Sequence, residues 1–470
     1  MNPPPDLFDL IVIGGGPAGI VGATTAAAFG KRVALIESNA ELGGAGSNTG
    51  TVPSKTLRET ALALSGMRSR NLYGVDLSLR REATVSDFLG HERAVKTGLN
   101  HFLKQRIDAW NATVCHGKAA FEDPHTIRVA HPGGETSLLR GDYFLIATGS
   151  APAHPPGFPF GCREVYDSDT ILDLDRLPQT MAVVGSGVIG SEYACTFAAL
   201  GAKVHLIDGR AALLPFLDGE VSRSLTAAME KNGIVFHWKE RVRSYTPDPG
   251  ERVIVTMESG AELDVDTVLI ASGRSSNVES LNLAAAGIAT GDRGLIPVDE
   301  CLRTGVPHIM AAGDVIGFPA LASTSMEQAR HAVRCAFRPN VPGHSSRVLP
   351  TGVYTIPEVG MVGETEESLR AAGVDYVVGK GSYFGSARGR IIGDSDGFLK
   401  LLFRRSDMKL LGVHALGEQA TDLVHVGLIA LMAGLSVDVF DEACFNIPTL
   451  GSLYKSAALH AMISAAKSGG

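Results

Sequence analysis

Two stretches of this chain carry one pattern, and that repetition limits its fold more than any other feature. Residues 10–13 form a short apolar run that ends in Gly14-Gly15-Gly16-Pro17-Ala18-Gly19, followed by an alanine-rich stretch to Phe29 and a second apolar run, 32–36, ending in Glu37. Residues 181–184 lead into Gly185-Ser186-Gly187-Val188-Ile189-Gly190, a helical stretch to about Leu200 and a run 203–207 ending in Asp208. Strand, glycine turn, helix, strand and terminal acid, in that order, are what a dinucleotide-binding βαβ unit requires. Gly14 makes the turn, Gly16 lets the backbone approach a pyrophosphate, Gly19 lets helix pack on strand, and Glu37 stands where a carboxylate accepts ribose hydroxyls. Gly185, Gly187, Gly190 and Asp208 repeat those roles. Two such units on one chain predict two bound dinucleotides.

The repeat extends beyond the fingerprints. A strand pattern ends at Ala147-Thr148-Gly149-Ser150, and strands at 253–257 and 267–270 lead to Ala271-Ser272-Gly273-Arg274. Proline-rich residues 151–161 read as a linker between the two units. Residues 308–312 form a strand entering a Gly313-Asp314 turn, and from Pro350 a third region alternates strands (398–403, 410–416) with two apolar helices. The expected class is α/β, with two Rossmann-like dinucleotide-binding domains and an α+β carboxy-terminal domain.

Between the repeats, Gly43-Gly44-Ala45-Gly46-Ser47-Asn48-Thr49-Gly50-Thr51-Val52-Pro53-Ser54-Lys55 reads as a cofactor-facing loop. Its glycines permit close backbone approach, Pro53 and Ser54 can open a helix, and Lys55 would lie one step inside it.

Composition excludes several classes. A net charge of -8 without a basic run argues against a nucleic-acid surface. The six cysteines are scattered, with no CxxC pair and no His/Cys cluster at metal spacing, so they read as buried thiols of a reducing, cytoplasmic protein with no metal site. The amino terminus lacks a basic segment, and the apolar run 423–435 is too short to span a bilayer, which leaves core or interface as its role.

Taken together, Gly14 to Gly19 with Glu37, Pro53-Ser54-Lys55, Ala147-Thr148-Gly149, Gly185 to Glu192, Gly313-Asp314 and Pro448-Thr449 resemble the flavoprotein disulfide reductases, such as lipoamide dehydrogenase and glutathione reductase, over essentially the whole chain. The resemblance implies an FAD domain in two segments (1–150 and 276–347), an inserted NAD(P) domain (151–275) and a dimerisation domain (348–470). It also places a redox cysteine pair at positions held here by Gly46 and Thr51, and a general-base histidine and a glutamate at positions held by Ile447 and Ser452. A dithiol relay needs a thiolate, a second sulfur and a base, and all are missing. Gly50 to Lys55, 166–172, 313–319, 354–358, 414–418 and 446–449 look closely like one branch, the soluble pyridine nucleotide transhydrogenases, which also lack the relay. Those enzymes usually keep a cysteine at the position of Gly46 and the glutamate at Ser452, so this chain departs from them too.

What the resemblance implies is a homodimer that transfers hydride from NADPH to NAD through FAD by a ping-pong route, with no disulfide. Gly14, Gly16, Gly19, Glu37, Gly44, Thr51, Lys55, Thr148, Gly149, Gly313 and Asp314 would hold FAD. Gly185, Gly187, Gly190, Asp208, Arg210 and Gly273 would hold NAD(H) or NADP(H). Lys55 and Glu192 match a catalytic pair beside the flavin, and a structural ion pair is the alternative. Asp208 favours an NAD ribose while Arg210 could take a 2′-phosphate or lie solvated. A diaphorase or quinone reductase, using room beside Gly46 and Ser47, is the first rival; a flavin-binding sensor or partner subunit with little turnover is the second.

Overall fold

The computed structural model describes residues 6–67, 84–158, 160–248, 252–338 and 348–468, which fall into two compact units. The first comprises 1–56, 90–153 and 273–347; the second comprises 57–89, 154–272 and 348–470.

A seven-stranded sheet carries the first unit. Its order is Thr113–His116, Val33–Glu37, Asp6–Ile13, Thr136–Ile146, Thr126–Ala130 and Lys118–Asp123, with Ile309–Ala311 added beside Thr136–Ile146. Asp6–Ile13 pairs in parallel with a strand on each side. A central parallel strand is covered on both faces, which is why Leu10, Ile11 and Val12 form an unbroken apolar run and are all fully buried. The helix Pro17–Ala28 follows, with proline at its start, where a missing N–H leaves no bond unmade. Its small residues Ala18, Ala23 and Ala26 share one core with Ala329, Ala332 and Val333 of the helix Ala322–Phe337.

The second unit repeats the plan with a five-stranded parallel sheet: Val235–Trp238, Lys203–Asp208, Thr180–Val184, Thr267–Ile270 and Val165–Asp167. Its carboxy-terminal part is an antiparallel sheet of Thr351–Val353, Val359–Gly363, Leu410–Leu416, Phe398–Arg404 and Tyr376–Ser382. The helices Ala420–Met432 and Leu453–Ser468 pack on it. Within this unit a fully buried lysine, Lys400, lies 2.8 Å from Asp218 and 3.2 Å from Glu220 and also contacts Glu366. The ammonium lies between the three carboxylates and offsets part of the repulsion that burial alone would leave unscreened.

The structure corrects several expectations. The helix beginning at the cofactor loop is Thr51–Leu64, so Lys55 lies in its second turn, and Pro53 falls among the first residues, whose N–H groups have no helical acceptor. A separate helical turn, Gly44–Ser47, forms inside the loop itself. The linker at 151–161 begins as a strand: Ser150–Pro152 pairs antiparallel with Arg274–Ser276, and Pro152 is tolerated in this two-stranded edge pairing. The apolar run near residue 430 is only partly core. Its helix buries Leu423, Val424 and Ala430 while Ile429 and Met432 are 63% and 59% exposed. Among the described residues no helix is long and apolar enough to cross a membrane.

Candidate dinucleotide sites

The two fingerprints close by the same steric rule. Gly14 and Gly185 each have φ of +103°, and a Cβ there would lie 2.4 Å from the Ala147 carbonyl oxygen and 2.5 Å from that of Ala271. The third glycines are tighter still: a Cβ at Gly19 would lie 1.8 Å from the Gly14 carbonyl oxygen, and one at Gly190 1.9 Å from that of Gly185. The middle glycines differ. Gly16 and Gly187 have negative φ, −76° and −71°. Among the described residues, a Cβ on Gly16 meets nothing closer than 3.9 Å, and one on Gly187 nothing within 4 Å. The chain's own packing does not demand glycine there, so what these positions keep open is room for a group outside the chain, at the amino end of a helix.

Each terminal carboxylate is fastened to its own turn. Glu37, 5% exposed, accepts the Gly15 N–H at 2.7 Å on one oxygen, and the Asn39 N–H (2.8 Å) and Ser38 hydroxyl (3.2 Å) on the other. Among the described residues it has no lysine or arginine partner within salt-bridge distance. Asp208 accepts the Ser186 N–H at 2.7 Å and the Ser186 hydroxyl at 2.9 Å. Its second tie is Arg210, whose Nε lies 2.9 Å from Oδ1, Nη2 2.7 Å from Oδ2 and backbone N–H 2.8 Å from Oδ1. Burial opposes ionisation of Asp208, but the Arg210 and Ser186 hydrogen bonds outweigh it and hold the carboxyl far below the usual range. Arg210 thus covers the acceptors that an NAD ribose would use. Arg241, beside Gly209, adds a second cation at this strand end, which the sequence reading missed.

The rest of the first unit's site is a set of tight turns. The Gly43 N–H donates to the Gly15 carbonyl at 2.7 Å, and Gly44 lies against Gly16 so closely that a Cβ would fall 2.9 Å from the Gly16 Cα. A Cβ at Gly46 would lie 2.5 Å from Cγ of Pro17, a ring that cannot swing aside. The room expected beside Gly46 is therefore filled by Pro17, and a side chain there requires the loop to move. Thr51 is exposed at the helix start, and half-buried Lys55 reaches the Ser54 hydroxyl at 3.2 Å.

Thr148, Gly149, Gly313 and Asp314 come together in this unit. Among the described residues the buried Thr148 hydroxyl has no hydrogen-bond partner, while its carbonyl and that of Gly149 accept from Asn277. Asp314 accepts the Ser150 hydroxyl at 2.7 Å, and that serine in turn accepts Arg274 Nε at 2.8 Å. Gly313, at φ +84°, donates to the Gln328 side chain at 2.9 Å. Ser150, Arg274, Asn277 and Gln328 are additions to the sequence-derived set; Ser150 and Arg274 close the repeated strand-end pattern, while no local pattern marks Asn277 and Gln328. Gly273, at φ +137°, is exposed and its carbonyl accepts the Ala153 N–H. An open middle glycine, a carboxylate anchored without a cation and a buried hydroxyl awaiting a partner fit a ribose- and pyrophosphate-bearing group such as FAD. A cavity of about 580 Å³, lined by Ala28, Phe29, Trp110 and Arg334 among others, lies at the opposite end of the helix Pro17–Ala28 and belongs to neither fingerprint.

In the second unit, Glu192 is 5% exposed and accepts the Tyr354 N–H at 2.9 Å. Lys55 belongs to the first unit and Glu192 to the second.

The cysteines depart from expectation. Among the six, Cys195 is buried, Cys444 exposed and the rest intermediate. Cys301, His331 and Cys335 converge, a cluster hidden in sequence because 30 residues separate its first two members and only the fold brings them together.

Comparison with known proteins agrees with this architecture. The model of the pyridine nucleotide-disulphide oxidoreductases matches residues 8–336, and that of their dimerisation domain matches 349–458. The chain is 44% identical over 462 residues, 97% of each chain, to a soluble pyridine nucleotide transhydrogenase of Mycobacterium tuberculosis. It is 38% identical, over 98% of each chain, to one from Photobacterium profundum. Among solved structures it resembles LpdA from Mycobacterium tuberculosis, with a TM-score of 0.89 at 27% identity over 96% of this chain and 99% of that one. It also resembles the HOCl-induced flavoprotein disulfide reductase RclA from Escherichia coli, with a TM-score of 0.86 at 28% identity, over 96% and 99%. Fold, fingerprints and full-length similarity together place the chain in the pyridine nucleotide-disulphide oxidoreductase family.

Proposed function

We propose that this protein is an FAD-dependent transhydrogenase that moves hydride from NADPH to NAD without a redox disulfide, as a cytoplasmic homodimer. One observation carries the reading: both glycine turns keep the close approaches that only glycine permits, while a Cβ at position 46 would run into Pro17. Relatives bearing the transhydrogenase name along their full length support it.

The family uses FAD and pyridine nucleotides, and bound FAD would supply a two-electron carrier able to exchange hydride with a nicotinamide. The chain's residues do the holding. Gly14, Gly16 and Gly19 shape the pyrophosphate turn, Glu37 takes the ribose, and Gly44, Thr51, Thr148, Gly149, Gly313 and Asp314 line the remainder. Lys55 would place a positive charge beside the bound group, and Glu192 would hold the incoming carboxamide. Gly185, Gly187 and Gly190, with Gly273, would seat the nicotinamide dinucleotide, and Asp208 and Arg210 would read its ribose. On this account FAD occupies 1–150 and 276–347, NAD(P) 151–275, and subunits meet through 348–470. The exposed apolar residues Ile429 and Met432 on one helix and Leu459 and Ile463 on another support that interface. Six unbridged cysteines suit a reducing cytoplasm.

Anaerobic titration tests the absence of a relay. One equivalent of NADPH should bleach the flavin fully, NAD should restore it, and no thiol should become newly titratable beside the flavin. Two equivalents of NADPH consumed before bleaching is complete would point to a dithiol relay and contradict the reading.

A further inference from the structure

We propose that Cys301 and Cys335 form a redox dithiol, separate from both dinucleotide cradles, which a low-molecular-weight disulfide oxidises to an intramolecular disulfide. The Cys335 thiol donates to the Cys301 sulfur at 2.7 Å, well inside ordinary sulfur–sulfur contact. Both side chains are partly exposed, so a small oxidant can reach them.

Three restraints hold this approach. Asp299 accepts the N–H groups of Cys301 (2.9 Å) and Arg303 (2.8 Å), closing the turn that carries Cys301. The Leu302 carbonyl accepts the Ala311 N–H at 3.0 Å, tying the turn to the central sheet. His331, one helical turn before Cys335, places Nε2 3.1 Å from the Glu300 carbonyl and 3.6 Å from the Cys335 sulfur. The helix Ala322–Phe337 and the turn are thereby pinned at the point where the sulfurs meet.

The same three residues could suggest a thiophilic metal, and the geometry decides against it. Zinc–sulfur bonds of about 2.3 Å in a tetrahedron hold two thiolates roughly 3.8 Å apart. The sulfurs here are an ångström closer, and the histidine nitrogen is already engaged with a carbonyl. A disulfide needs the sulfurs closer still, the direction in which they already lean.

Oxidation proceeds by exchange. Cys301, once it gives up its proton, attacks one sulfur of the small disulfide. That S–S bond breaks, and the departing thiolate takes up a proton. Cys335 then attacks the Cys301 sulfur, the second small thiolate leaves, and the proton Cys335 gives up makes it a thiol. Two protein thiols lose two electrons and two protons, and one external disulfide becomes two thiols. The loop closed this way contains Gly313, Asp314 and Gln328, so the disulfide would restrain the second segment of the FAD cradle.

The test treats FAD-loaded protein with hydroxyethyl disulfide, quenches in acid and maps the peptides. Expected is a peptide pair linked through Cys301 and Cys335, two mass units lighter than its reduced form and restored by dithiothreitol. Cys335→Ser should stop at a hydroxyethylthio adduct on Cys301, while nucleotide exchange by the reduced variant stays at the wild-type rate. Exposed Cys444 should carry an adduct in every variant and reports that the reagent acted. Absence of the linked pair with Cys444 modified would overturn the proposal. So would stoichiometric zinc binding lost in Cys301→Ser while the thiols resist oxidation. Neither result depends on which nucleotide the protein uses.

Discussion

Glu37 and Asp208 end equivalent strands of equivalent units, and both bind the amide of the second residue in their glycine turn. They part company in what else they bind. Glu37 keeps to backbone and hydroxyl donors, whereas Asp208 is clasped by Arg210 on both oxygens. A carboxylate held only by neutral donors retains its negative field and its spare lone pairs for ribose hydroxyls. One already paired with a guanidinium must release it, but the released guanidinium can then receive a phosphate. On the proposed reading, the first cradle would suit one fixed ligand and the second a choice between ligands.

The comparison breaks most violently at the third glycines. Gly19→Val and Gly190→Val each drive a side chain into a carbonyl and should cost about 3 kcal/mol or more, seen as a fall in the urea midpoint. Gly46→Cys should lose on the order of 1–3 kcal/mol through the Pro17 contact, and flavin reduction should show no thiol–flavin charge-transfer band. Gly16→Ala and Gly187→Ala should leave the apo fold within about 1 kcal/mol of wild type, yet lose FAD content and nucleotide affinity respectively. Equal loss of stability at all four fingerprint positions would show that packing, not a ligand, selects every glycine.

Finer tests address the clasp. Asp208→Asn frees Arg210 and should raise the NADPH/NADH ratio of specificity constants about tenfold, roughly one charge-assisted hydrogen bond. Arg210→Ala should lower that ratio. An unmoved ratio in both variants would remove the clasp from nucleotide choice.

The smallest effect is in pH. Burial together with His237 and Lys203 pushes His205 down to about 4, and burial also lowers His237 and His414. These rings stay neutral in the fold while the unfolded chain takes up protons below about 6.5. Stability should therefore be full above that pH and decline as pH falls from it towards about 4. Asp208, whose pKa is depressed, contributes stability above the unfolded value of about 3.9 and loses it only as pH falls through the folded value. All four groups lie in the second unit, so hydrogen exchange should show that unit loosening first.

The sequence made legible whatever backbone sterics dictate. Gly14, Gly19, Gly185 and Gly190 are forced by positive φ or close approach, and such positions announce themselves in a single chain. Alternating and continuous apolar runs likewise located the central strands. Side-chain direction was not legible: that Arg210 folds back onto Asp208, two residues away, depends on a rotamer, and Pro17 filling the space beside Gly46 depends on loop path. Contacts made only by chain return were hidden altogether, as with Ser150 between Asp314 and Arg274, Lys400 among its carboxylates, and Cys301 against Cys335.

The most direct test of the account is anaerobic steady-state exchange from NADPH to an NAD analogue of shifted absorbance, with a quinone and oxygen run in parallel. Fast exchange with parallel double-reciprocal lines, and quinone turnover well below it, is the predicted result. Rapid quinone reduction with negligible nucleotide exchange would contradict it.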